Sequence, residues 1–272
     1  MLSVFGDEST DETKSRVFAM SGVIGREPEW QAAEAEWLRR TQGEVFHAAD
    51  CEHNRNLDLY KDLTLILAGS RLAGRAVALD LIALKEFFPT LSPEFGYYKC
   101  FIMMVNWLVD NTAAQIGEPI EFTFDSRRES DYNAEKLYSV LSNKPKWSGA
   151  QFMRGKISFA TRTNPRIQMA DLVAREAMKD LNNSLGPVQR PRRKSISTLF
   201  TEGHFSFGVI DREYCSKWKE SSDLVPELAD QYNRWLLTHK LADNMSNRID
   251  FMAWLNSKNA LTPETPATPG GR

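Results

Sequence analysis

The sequence has little cysteine, no long hydrophobic run and almost no net charge. Its three cysteines are scattered and odd in number, which argues against a framework of disulfide bonds. No apolar stretch reaches about 18 residues, and no basic segment followed by an apolar run opens the chain. We therefore expect a soluble, cytoplasmic protein that makes no contact with a membrane.

The small net charge of −2 means that the chain as a whole does not attract nucleic acid, so any such binding has to come from local patches. The apolar fraction of 42% and the aromatic fraction of 11% are sufficient for a sizeable packed core. The chain closes on TPETPATPGGR, which is rich in proline, threonine and glycine. We expect a disordered tail over residues 259–272.

The pattern of apolar residues predicts alternating strands and helices. A hairpin is expected first, with strands over 2–6 and 16–24 around the polar turn ESTDETKS. Proline-containing starts at Ser92-Pro93 and Asn164-Pro165 predict two further helices. The remaining predicted elements are helices over 29–40, 57–72 and 132–141, strands over 75–84 and 120–126, and a strand in GKISFAT.

This order favours a mixed α/β fold, because alternating strands and helices form a partly parallel sheet covered by helices. We expect a core over residues 1–185 with a helical insertion over about 28–73. Residues 186–258 are expected to form a mainly helical C-terminal extension.

Three aspartates fall where such a fold gathers its ligands. Asp7 is expected at the end of the first strand and Asp125 at the end of IEFTF, and ligands of open α/β sheets collect at strand ends. Asp171 lies at the margin of the inward stripe of its helix, flanked by Gln168 and Arg175 on the polar side. A carboxylate that faces a core is normally neutralised, paired or bound to a cation.

Converging carboxylates repel one another, and a divalent cation would relieve that repulsion. Hard oxygen ligands suit Mg²⁺ or Mn²⁺. The sequence therefore predicts a magnesium or manganese site at Asp7, Asp125 and Asp171.

Other interpretations of these acids stay open. Asp7 and Glu8 are also typical of a solvated turn, and Asp125 of a helix cap, although Ser130 and Asp131 are better placed to cap. Asp171 would suit an ion pair with Arg175 one turn later. The segment FHAADCEH contains two histidines and a cysteine, but its spacing matches no familiar structural zinc site.

The segments FGDEST, FTFDS and IQMADLVA, in this order of elements, resemble the bacterial and phage family known as domain of unknown function 3800 (DUF3800). The resemblance covers about residues 1–183 and implies a ribonuclease-H-like fold, with a central five-stranded sheet whose first three strands are antiparallel. It also implies a nuclease that holds metal at Asp7, Asp125 and Asp171. The usual gene neighbourhoods of the family suggest phage defence or a mobile element.

Two features depart from the simplest members of that superfamily. Its nucleases usually add a glutamate from the helix after the third strand, where only Glu94 is near. The long insertion carrying FHAADCEH is also atypical. Glu8, His47 and Asp50 are therefore candidates to complete a catalytic site, and Gln168 is interpreted as a hydrogen-bonding neighbour.

A basic loop follows the helix of Asp171. It contains Arg190, Arg192, Arg193 and Lys194, which could grip the phosphates of a nucleic acid or simply form a solvated loop. The leading hypothesis is a metal-dependent nuclease acting on DNA or RNA. The alternative is a catalytically inactive module that binds nucleic acid or a partner protein, since fold does not determine function. A homodimer and a phosphate-ester hydrolase also stay open.

Overall fold

Six strands form one mixed sheet in the described part of the computed structural model. They are β1 (Leu2–Thr10), β2 (Val17–Gly25), β3 (Ala73–Asp80), β4 (Ile120–Asp125), β5 (Ser158–Ala160) and β6 (His204–Ile210). The order across the sheet is β5-β4-β1-β2-β3-β6. Strand β2 is antiparallel to both of its neighbours, whereas β4, β5 and β6 pair in parallel. The structure describes residues 1–89, 91, 94–126, 131–145, 147–186, 188–223, 226–241 and 245–261.

Helices cover both faces of this sheet. Those before β4 are α1 (Glu27–Thr41), α2 (Ala48–His53), α3 (Leu57–Gly69), α4 (Leu81–Phe87) and α5 (Glu94–Leu108), which continues through a π-helical segment (Val109–Ala113) into α6 (Ala114–Ile116). Those after β4 are α7 (Asp131–Ser142), α8 (Pro165–Leu185), α9 (Lys194–Thr201), α10 (Arg212–Asp223), α11 (Pro226–His239) and α12 (Met245–Leu261).

Two hydrophobic cores lie on opposite faces of the sheet. Alternate residues of β1 show the division, since Val4 belongs to the core beneath α5 and Phe5 to the core beneath α8. The insertion packs onto α8 through α1, α2 and α3, and Trp30 and Trp37 of α1 are fully buried there. Helix α8 is therefore enclosed between the sheet and the insertion.

The predicted hairpin and the mixed α/β class are confirmed, but two strand ends were wrong. Strand β1 does not end at residue 6, because it stays paired with β2 up to the Thr10–Phe18 pair. Strand β3 ends at Asp80, whose side chain accepts the backbone N–H groups of Ile82 and Ala83 and so starts α4.

The sixth strand was not predicted. The segment HFSFGVI lies in the extension that was expected to be mainly helical, yet it forms β6 and pairs in parallel with β3. Its partner lies about 130 residues earlier in the chain. The C-terminal extension therefore contributes a strand to the central sheet, which has six strands instead of five.

Several expectations fall at the limits of the described residues. Ser92, Pro93 and Ser130 lie outside them, as do residues 262–272 of the expected tail, although α12 extends to Leu261. The three cysteines are buried and unpaired by disulfides. No helix in the described ranges combines the length and the apolar character that a membrane crossing requires.

The β1–β2 turn is held by one carboxylate, that of Asp11. Its Oδ1 accepts the backbone N–H groups of Ser15, Arg16 and Val17, and its Oδ2 accepts that of Thr13. Burial by itself would raise the pKa of Asp11, but the hydrogen bonds outweigh it and lower the pKa from 3.8 to about 2. The carboxylate therefore stabilises the hairpin in its charged form.

We expect Asp11→Ala to destabilise the protein by about 1–3 kcal/mol at pH 7, because the turn amides lose their acceptor. The contribution is present above pH 3.8 and is lost as the pH falls through about 2, since the native pKa is the lower one. Urea unfolding across this pH range measures it. Glu12→Ala, at a neighbouring exposed side chain, is the control, and an equal loss there would contradict the assignment.

Candidate functional site

Asp7 and Asp125 occupy adjacent positions on neighbouring parallel strands. The β1–β4 pairing ends at Gly6 and Phe124, so the two aspartates are the next residue on each strand. Asp7 follows Phe5 by two residues and shares its face, beneath α8. Asp125 follows Phe124, which lies in the opposite core, so Asp125 also lies on the α8 face. Both carboxylates are buried.

Helix α8 brings Asp171 over the same end of the sheet. The Ser21 hydroxyl donates to the Ala170 carbonyl over 2.7 Å, and Ser21 is the cross-strand partner of Asp7. This contact fixes the turn of α8 that carries Asp171 above Asp7. Asp7, Asp125 and Asp171 therefore lie on the same side of the sheet, although Asp7 lies within its strand and not at its end as expected.

Asp171 is also an anchor for the insertion. Its Oδ2 accepts the backbone N–H of Ala48, the first residue of α2, over 2.7 Å. The same oxygen lies 3.9 Å from His47 Nε2, while His47 Nδ1 lies 2.9 Å from Asp50 Oδ2. His47 thus stands between a buried and an exposed carboxylate. The alternative of an ion pair between Asp171 and Arg175 is not what the structure has, because Arg175 pairs with Glu52.

Arg162 is the residue that sequence reasoning did not place in the site. It lies in the loop between β5 and α8, and its Nε is 3.5 Å from Asp125 Oδ2. Its charge also acts on Asp171. The sequence TRTNPR is basic, but nothing in it shows that the loop folds back over β4.

Burial dominates the electrostatics of two of the carboxylates. Desolvation raises the pKa of Asp171, opposed by His47, by the Ala48 N–H and by Arg162. Desolvation likewise raises the pKa of Asp125, opposed mainly by Arg162. The positive groups around them thus compensate only part of the cost of burying the negative charge.

Gln168 holds two sides of the site together. Its Oε1 accepts from Trp37 Nε1 at 3.0 Å and from the Phe46 N–H at 3.2 Å, and its Nε2 donates to the Arg162 carbonyl at 2.9 Å. It therefore positions both the segment that leads to His47 and the loop of Arg162. The prediction that Gln168 is a hydrogen-bonding neighbour is confirmed, but it does not lie on a polar side of α8.

Glu8 does not share the face of the three aspartates. It alternates with Asp7 and pairs across the hairpin with Met20, which belongs to the core beneath α5. Its side chain is buried, so it is not a solvated turn residue either. Asp50 is mostly exposed and touches the site only through His47.

The donor chemistry of Asp7, Asp125 and Asp171 suits a hard divalent cation, because all three offer carboxylate oxygens in a buried setting. In the described part of the chain, however, no three Asp, Glu, His or Cys side chains are gathered closely enough to hold a metal ion. The three aspartates share a face of the fold without forming a finished coordination shell. A cation there requires their side chains to draw together.

Two of the four basic loop residues are engaged within the chain. Arg192 pairs with Asp180 at 2.8 Å, and Arg193 pairs with Glu176 at 2.9 Å and with Glu52. Arg193 is thereby part of the packing between α8, α9 and the insertion. Arg190 and Lys194 are exposed, so of the predicted nucleic-acid-binding residues these two remain available to a ligand.

A cleft of about 600 Å³ lies beside the site, between the β1–β2 turn, α2 and α8. Among its lining residues are Asp50, which contacts His47, and Arg175 and Lys179, one and two helical turns beyond Asp171. The cleft carries charges of both signs. Asp7, Asp125 and Asp171 are not among its lining residues.

No family model matches this chain, and a search of the curated proteins found no match to it.

We expect Asp125→Asn to raise the melting temperature of the metal-free protein at pH 7, because it removes a buried charge that the fold disfavours. The native pKa is raised above the unfolded value, so the native state binds the proton more tightly and wild-type stability falls as the pH rises. The advantage of the variant should disappear as the pH falls below 3.8, where the aspartate becomes protonated in both states. Thermal unfolding at several pH values measures it.

The matched control is Asp58→Asn, at an exposed position on α3. It should leave the melting temperature unchanged. A variant at Asp125 that is less stable than wild type at neutral pH would show that Arg162 compensates the charge fully, which contradicts the expectation.

Proposed function

We propose that the chain is a metal-dependent nuclease, a hydrolase of phosphodiester bonds, built on a ribonuclease-H-like core. The observation that carries the proposal is the position of Asp7 and Asp125 side by side on parallel strands, with Asp171 of α8 over the same face. Burying carboxylates in such an arrangement lowers the stability of the fold, and their presence there favours a functional role.

The topology supports the same proposal. Strands β1 to β3 are antiparallel, as the resemblance to the DUF3800 family implies, and β4 and β5 continue the sheet in parallel from β1. The motifs FGDEST, FTFDS and IQMADLVA contribute one aspartate each. Strand β6 and the helices after it would then be additions to this core.

Asp7, Asp125 and Asp171 are the residues that would hold Mg²⁺ or Mn²⁺. When bound, such an ion activates water and stabilises charge on the phosphate and the leaving oxygen. Arg162 has half of its side chain exposed, so it can turn from Asp125 toward a substrate phosphate. His47, with Nε2 facing Asp171, is placed to accept or donate a proton at that atom.

A second function is favoured by a different observation. Asp171 accepts a hydrogen bond from the Ala48 N–H, and Arg162 forms an ion pair with Asp125. Both carboxylates therefore have partners without a metal. A fold that satisfies its acids in this way is compatible with an inactive module that binds nucleic acid or a partner protein. Metal binding distinguishes the two functions.

We expect the protein to cleave at least one of four labelled substrates in Mn²⁺ or Mg²⁺: single-stranded DNA, double-stranded DNA, RNA or an RNA–DNA hybrid. Asp7→Asn, Asp125→Asn and Asp171→Asn should each lower the rate by about a hundredfold or more, because the ligands of the ion are lost. Gel analysis of the products measures the rate. Asp58→Asn is the control and should cleave as wild type does.

Metal binding is measured separately, by the melting temperature with and without Mn²⁺. An ion that binds only the native state stabilises it by about 2.7 kcal/mol at a hundred times its dissociation constant. Stabilisation that Asp125→Asn abolishes, together with cleavage, supports the nuclease. Nucleic-acid binding without cleavage or metal stabilisation would instead support the inactive module, and the absence of all three would contradict both.

A further inference from the structure

Strand β6 forms one edge of the sheet and is open on its outer side. It pairs with β3 alone, from His204–Ala73 to Ile210–Leu79. Among the residues that the structure describes, no backbone group outside β3 bonds to the backbone of β6. The strand therefore presents a row of unpaired N–H and C=O groups along seven residues.

The sequence and pairing of this edge strand lack several of the usual protections against pairing. Edge strands are normally shortened, bulged, or supplied with lysine, proline or inward charges. The segment HFSFGVI contains no lysine, proline or acidic residue, and its pairing with β3 is regular throughout. The opposite edge of the sheet, β5, is only three residues long.

Apolar side chains lie next to this edge, on the side of the sheet that α8 covers. Val209 is 44% exposed, and it shares that face with Phe205 and Phe207, which belong to the core there. Phe200 of α9, which packs beside β6, is 54% exposed. An open strand edge with an apolar border is the kind of surface that another strand covers.

The charges around β6 indicate what covers it. In an antiparallel pair of two β6 strands centred on Phe207, Phe205 of one copy faces Val209 of the other, and Ser206 faces Gly208. The same register brings Glu202, just before the strand, toward Arg212 of the second copy, just after it. Both side chains are exposed, although Arg212 also contacts Glu86 of its own chain. The pair of Glu202 and Arg212 occurs twice because of the two-fold symmetry. Between the two pairs, the facing residues of the two β6 strands bring no like charges together.

We propose that β6 is a dimerisation edge, through which two copies of this chain pair in an antiparallel manner about a two-fold axis at Phe207. The two six-stranded sheets become one continuous sheet. Backbone hydrogen bonds close both edges, while Val209, Phe207 and Phe200 of each copy bury the apolar border. The inference does not depend on any catalytic activity, because it rests only on β6 and its flanks.

Sedimentation of the metal-free, substrate-free protein over roughly a hundredfold range of concentration tests the proposal, since a dimer forms by mass action. Wild type should sediment as a dimer at the upper concentrations. Val209→Asp should weaken the dimer by at least about tenfold, because each copy would bury an unpaired carboxylate. Leu237→Asp, at an exposed apolar residue of α11, should leave the dimer intact.

The register has its own test, which uses exposed positions that do not threaten folding. Glu202→Cys mixed with Arg212→Cys should be joined by a short bismaleimide crosslinker, and neither variant alone should be. The native cysteines are buried and give little background. Crosslinking of either variant with itself, a wild type that stays monomeric, or a Val209→Asp variant that dimerises as tightly as wild type would each overturn the proposal.

Discussion

The burial of α8 on all sides is the constraint on which the rest of the structure depends. One side of the helix packs on the sheet, and the other is covered by α1, α2 and α9 and contacted by Tyr60 of α3. The polar residues between Ile167 and Met178 are buried and therefore need partners inside the protein. Glu176 obtains them from Tyr60, Ser195 and Arg193, and Gln168 from α1 and two loops. The insertion is held in place through these contacts.

The same enclosure determines the chemistry of the candidate site. Asp125 and Asp171 are buried, and the positive groups near them offset only part of the cost of burying their negative charge. Desolvation therefore raises the pKa of each. A fold stabilises itself better without such groups, and their presence on one face is the physical argument for a ligand that brings positive charge. Arg162 supplies part of that charge in the protein alone.

Local patterns in the sequence were sufficient for most elements and for the three aspartates. Proline at the start of α8 and the alternation in IEFTF identify their elements without tertiary information, because both signals act within a few residues. The end of β3 was misjudged because aliphatic residues continue into α4, and only the capping by Asp80 separates the two. Strand β6 was missed because its partner β3 is distant in the chain and no strand next to it in the sequence indicates that it joins the sheet.

The sequence by itself determined the α/β class, the hairpin and the elements on which the three aspartates lie, since these depend on periodicity and on residue type. The tertiary structure alone decided which acids lie on the same side of the sheet. Strand alternation sends Glu8 to the α5 face while Asp7 and Asp125 lie beneath α8. Folding of the β5–α8 loop brings Arg162 to Asp125, and closure of the insertion brings Ala48 and His47 to Asp171. The contact between Ala48 and Asp171 joins residues that are 123 positions apart, and no local pattern encodes it.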